Sequence, residues 1–203
     1  MSDDVYERLA EALDKLPNGF PRTPSNVEIK LLKKIFSPKE ASLASQLSGS
    51  MESINAIARH LQLPVKEAEK ELMEMAERGL LWPQEEKGKL SFRLAPFVVG
   101  IYESQKKNMD HEFAHLFEDY MANGGAAGIM KPQPALHRVI PAQKAVKSEL
   151  ILPYDDVKAI LLESKTFRLR DCICRMQQDH IGRKCDFPLR TCLSFSSVES
   201  RLN

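Results

Sequence analysis

All four cysteines of the chain, Cys172, Cys174, Cys185 and Cys192, stand in one short stretch with the pattern C-x-C-x10-C-x6-C. Thiolates are soft ligands, so a group of four points to one shared metal centre, either an iron–sulfur cluster or zinc. Cysteines serving only as small buried hydrophobes would be scattered along the sequence. Surface or redox-sensing thiols are the remaining alternative, with Arg170, Arg175 and Arg183 close by.

Spacing favours the cluster over zinc. Structural zinc is usually wrapped by paired C-x2-4-C knuckles at about 2.3 Å per sulfur. Only one close pair exists here, Cys172 with Cys174, and it is C-x-C. A 4Fe–4S cubane presents four separated irons, each needing one thiolate, and so tolerates irregular spacing. With four thiolates it is anionic, and removing that charge from water requires compensation. From Lys165 to Asn203 there are eight basic residues against four acidic ones, although such a surplus also suits a solvated or docking surface. His180 could replace one cysteine as a ligand. The expected cofactor is a 4Fe–4S cluster, with zinc as the alternative.

A second constellation is His111-Glu112-Phe113-Ala114-His115, a literal H-E-x-x-H. On a helix the two histidines fall one turn apart on one side and can hold zinc, with the glutamate as general base for a bound water. Five residues of modest information content also recur by chance. No H-x-x-G-x-x-H extension follows, and Asp119 and His137 are only candidate third ligands. An amphipathic helix with His and Glu on its polar edge is the plainer reading. Walker, G-x-G-x-x-G and G-x-S-x-G signatures are absent.

The chain has 203 residues, of which 29 are basic and 28 acidic, so it has no overall bias toward nucleic acid or anionic lipid. Met1-Ser2-Asp3-Asp4 opens acidic and lacks the pattern of a signal peptide. Apolar runs such as Leu94 to Ile101 fall far short of the roughly 20 residues of a membrane helix. A cytoplasmic location is expected, and there clustered cysteines favour a metal over disulfides.

The elements that must position these residues begin with a helix on Val5, Leu9, Ala12, Leu13 and Leu16, stopped by Pro17-Asn18-Gly19. Val27 to Ile35 predicts a second. Ser37-Pro38-Lys39-Glu40 predicts a capped start to a third. Ile54 to Leu61, a turn at Gln62-Leu63-Pro64, and Val65 to Arg78 ending at Gly79 predict two further helices. Leu80-Leu81-Trp82 and Leu90 to Leu94 predict strands joined by a tip over Pro83 to Lys89.

Helix is also expected over Phe97 to Tyr102, Met109 to Met121 and Pro153 to Leu162. Asn123-Gly124-Gly125-Ala126-Ala127-Gly128 reads as a flexible joint, followed by Pro132, Pro134 and Pro141. Thr166 to Arg170 alternates and leads into the cysteines. The expected fold is mainly α, of the α+β type. A helical domain over residues 1–122 precedes a Pro/Gly-rich linker, one helix and a small irregular Cys-rich segment over residues 123–203.

The order of short helix, turn, long helix and hairpin over about residues 35–96 resembles the winged helix-turn-helix domains of bacterial regulators. The long helix would then enter the major groove. It carries Lys66, Lys70 and Arg78 against Glu67, Glu69, Glu71, Glu74 and Glu77, which forfeits phosphate attraction, so DNA is disfavoured as a partner.

The stretch Arg170-Asp171-Cys172-Ile173-Cys174-Arg175, with Gly182-Arg183-Lys184-Cys185 and Cys192-Leu193-Ser194-Phe195, resembles a family of anaerobe ferredoxin-type proteins that carry 4Fe–4S clusters. The similarity extends upstream through Gly124 to Gly128 and Phe97 to Glu103. It implies further cysteine-rich segments, including two C-x2-C-x2-C-x3-C-P motifs, so a sequence stopping at Asn203 is read as an N-terminal portion. The expected function is iron–sulfur cluster binding for electron transfer or redox sensing, with a redox protein as partner, no catalysis, no membrane, and homo-oligomerisation left open. The alternatives are a redox-responsive winged-helix regulator of DNA and, last, a zinc metallohydrolase at His111, Glu112 and His115.

Overall fold

The structure is a computed structural model that describes residues 2–129 and 157–197. Internal contacts divide the chain into two units, Met1–Leu136 with Ile173–Cys185, and His137–Cys172 with Asp186–Asn203. The described residues are mainly helical, of the expected α+β class, and include two small antiparallel sheets. Among the described residues no helix is long and apolar enough to cross a membrane.

The first unit opens with α1 (Ser2–Asp14), α2 (Val27–Ile35) and α3 (Pro38–Ala44). Leu9 and Leu13 of α1 and Leu31 and Leu32 of α2 are fully buried, which is the consequence of their helical spacing. Beyond α1 the chain turns at Gly19 (φ +67°), and the Phe20 N–H donates to Asp14 Oδ1 at 2.8 Å. The expected start of α3 forms: Ser37 Oγ accepts from the Glu40 N–H, and the Glu40 carboxylate accepts from the Ser37 N–H.

A two-residue strand β1 (Glu52–Ser53) precedes α4 (Ile54–Leu61) and α5 (Val65–Glu77). The turn between those helices places Gln62 in the left-handed region, and Gly79 (φ +71°) closes α5. Strands β2 (Leu81–Glu86) and β3 (Lys89–Leu94) follow, in a sheet of order β1-β3-β2. They are longer than expected because Glu86 pairs with Lys89, leaving only Lys87 and Gly88, both at positive φ, as the tip. Pro83 is accommodated because β2 is an edge strand.

Residues 97–101 do not form the expected regular helix, since Val98 and Val99 are extended. Adjacent β-branched residues favour that conformation. The Val98 carbonyl oxygen accepts from Asn18 Nδ2 instead of from a helical turn. Phe97 enters an aromatic core with Phe20 (4.5 Å between centroids) and Tyr120 (5.9 Å). The chain then runs through a short α6 (Tyr102–Ser104) into α7 (His111–Tyr120), with Asp110 Oδ1 capping the Phe113 N–H at 2.8 Å. The Tyr102 ring stacks on Phe117 at 3.8 Å. Burial, with the nearby Glu28 and Asp14 charges, pushes the Tyr120 phenol well above its ordinary range.

The glycine run differs from the joint expected of it. The chain kinks at Gly124 (φ +126°) and resumes as α8 (Ala126–Ile129). A Cβ on Gly125 would lie 2.5 Å from the Tyr120 ring, and one on Gly128 would lie 2.6 Å from Pro21. These two glycines permit close packing rather than hinge motion. Pro132, Pro134, Pro141 and residues 153–156 lie outside the described residues; of the helix expected over Pro153 to Leu162, the described part is α9 (Val157–Glu163).

The cysteine-bearing stretch is more regular than expected. β4 (Thr166–Asp171) and β5 (Arg190–Ser196) form a two-stranded antiparallel ribbon in the second unit. Helix α10 (Ile173–His180), which lies between those strands in sequence, belongs to the first unit. It packs on α7 through buried Ile173 and Gln177.

Candidate metal centre

The ribbon sets Cys172 and Cys192. Cys172 follows β4 directly, and its N–H donates to the Leu189 carbonyl oxygen at 2.9 Å. Cys192 is opposite Arg170 in the ladder, so the two share a face. That face continues through Arg168 and Ser194, and Arg170 Nη2 donates to Ser194 Oγ at 2.7 Å. The other face pairs Phe167 with Phe195 and Leu169 with Leu193, each 44–52% exposed. Cys192 therefore sits on the cationic face and not among the apolar residues.

Cys174 and Cys185 belong to the first unit, Cys174 in the first turn of α10 and Cys185 five residues beyond its end. Cys174 is exposed and Cys185 half-buried. The Ile181 N–H donates to the Gln177 carbonyl oxygen at 3.3 Å and the Arg183 N–H to that of Gln178 at 2.8 Å, with Gly182 left-handed between them. This closes the helix in the manner of a glycine C-cap. Beyond it, Arg183 forms an ion pair with Glu118 of α7. The Arg183 guanidinium, helped by Gln177, holds the Glu118 carboxyl below its ordinary range against the opposing effect of burial.

None of the four cysteines is in a disulfide. Among the described residues, no three His, Cys, Asp or Glu side chains are gathered as a metal ion requires. The thiols match a cluster in type and number, which is the part of a metal centre that sequence can specify.

At the H-E-x-x-H motif, His111 and His115 are both exposed, with their Nε2 atoms 3.2 Å apart. Glu112 turns away from them to an ion pair with Lys34 of α2, which also holds Asp110 at 3.0 Å. Bonds to Glu112 first, and to Asp110 second, raise the Lys34 ammonium above its ordinary pKa. Sequence carried no signal for Lys34, whose contact depends on how α2 packs on α7. Of the candidate third ligands, Asp119 belongs to no such group and His137 lies outside the described residues.

The outer surface of α5 has few unpaired cations. Lys70 faces Glu74 at 3.8 Å, while Lys39 of α3 is 2.7 Å from Glu71. Arg78 is committed to Glu40 and, at 2.6 Å, to the Ile35 carbonyl oxygen.

No family model, curated protein or solved structure matches the chain. The strongest chemical signal is the set of four thiols, and the α5 surface and the histidine pair are secondary.

Proposed function

We propose that this is an iron–sulfur protein in which Cys172, Cys174, Cys185 and Cys192 hold one 4Fe–4S cluster, used for electron transfer or redox sensing. The observation that carries the reading is the confinement of every cysteine to residues 172–192, all outside disulfides. Bound there, the cluster would supply one-electron redox chemistry. Arg168 and Arg170, on the face that also bears Cys192, supply positive charge suited to an anionic centre. Metal sites commonly take their final geometry only as the metal binds.

The β1-β3-β2 sheet with α4 and α5 supports a further reading of residues 35–96 as a winged-helix module. Its helix α5 is acidic, and Lys39, Lys70 and Arg78 are paired with carboxylates, which favours a packing or protein-docking role over DNA binding.

The optical spectrum of anaerobically purified protein tests the cluster. Broad visible absorption that bleaches on reduction, and is lost in Cys192→Ser, is expected. A colourless protein under those conditions, after reconstitution with iron and sulfide, would reject it.

A further inference from the structure

The histidines of the H-E-x-x-H motif make a better chelate than they make an active site. Their Nε2 atoms are 3.2 Å apart while the ring centroids are 4.4 Å apart, so the rings converge at their nitrogen tips. An ion bonded to both at 2.0–2.1 Å would subtend an N–M–N angle of about 100–106°, near tetrahedral. The spacing is held by a helix whose opposite side is anchored through buried Phe113, Ala114 and Phe117. Rigid elements make such paired ligands effective.

We propose that His111 and His115 bind a single borderline divalent cation, such as Zn2+ or Ni2+, at a site separate from the cysteines. Imidazole nitrogen suits these ions. The remaining coordination positions face solvent and are left to water or to a donor from another molecule. The same geometry argues against hydrolysis. Catalytic zinc takes three protein ligands, and no third is gathered here among the described residues. Glu112, which would be the general base, is occupied by Lys34 and is 68% exposed.

The test is the retention of untagged full-length protein on immobilised Ni2+ under an imidazole gradient. His111→Asn and His115→Asn should each elute at roughly half the imidazole concentration of wild type or less, because a chelate is reduced to a single ligand. His60→Asn and Glu112→Gln should elute as wild type. The substituted positions are exposed, and circular dichroism checks that each variant keeps its fold. In parallel, Ni2+ added to 15N-labelled protein should broaden amide signals of α7 first. Equal retention of all variants, or broadening confined to residues 172–192, would overturn the proposal. Zn2+-dependent peptidase activity abolished by Glu112→Gln would overturn its non-hydrolytic character.

Discussion

Gln177 Nε2 of α10 donates to the Ala114 carbonyl oxygen of α7 at 3.2 Å and also lies 3.1 Å from Glu118 Oε2. Gln177 is 3% exposed, so this amide is satisfied by the protein and not by water. It joins the segment between Cys174 and Cys185 to the helical core of the first unit. Gln177→Ala removes the donor and leaves a gap, at a cost of about 1–3 kcal/mol. A lower urea midpoint with an unchanged slope is the expected result.

Glu40 links the start of α3 to the end of α5 through Ser37 and Arg78. Burial alone would raise its carboxyl, but the bonds from Arg78 and Ser37 outweigh it and hold the pKa below the ordinary 4.5. A carboxyl lowered by folding contributes stability that is complete above its unfolded pKa and disappears as pH falls through the folded one. The stability advantage of wild type over Glu40→Gln should therefore hold near neutrality and shrink as pH falls through and below the ordinary carboxylate range. Denaturation curves across that range check it.

Gly79 and Gly88 share a left-handed backbone, at φ +71° and +75°, but not a common environment. A Cβ on Gly79 would lie 2.1 Å from Ser104 Oγ, whereas one on Gly88 would meet nothing within 4 Å. Gly88→Ala should cost about 1 kcal/mol from backbone strain alone. Gly79→Ala should exceed it by roughly 1–3 kcal/mol from overpacking. Thermal unfolding of the two variants separates the terms.

The surplus of carboxylates on α5, with Lys70 already facing Glu74, predicts weak attraction to phosphate. Fluorescence anisotropy with random duplex DNA at low salt should show no saturable binding. Steeply salt-dependent binding, weakened by Lys66→Ala or Arg59→Ala, would instead support the regulator reading.

Locally encoded features were legible in the sequence. The Ser37-Pro38-Lys39-Glu40 box forms as its spacing demands, and the apolar periods of α2, α4 and α5 locate those helices to within a residue. Features that depend on distant partners were not. Pro83-Gln84-Glu85-Glu86 does not look like a strand, yet an edge strand in solvent tolerates both the proline and the charges. Gly125 and Gly128 resemble a joint until Tyr120 and Pro21 are placed against them. The packing of α10 on α7 joins residues about sixty positions apart, and no local pattern announces it. For the candidate site, residue type and spacing single out the thiols and the histidines. Whether ligands converge is a tertiary property, visible for His111 with His115 and not legible for the cysteines.

An iron–sulfur cluster held by the four thiols is read most directly from metal content. Iron, acid-labile sulfide and zinc should be measured on protein purified without oxygen. About four irons and four sulfides per chain, falling together in Cys172→Ser, are predicted. Stoichiometric zinc with no sulfide would contradict the claim.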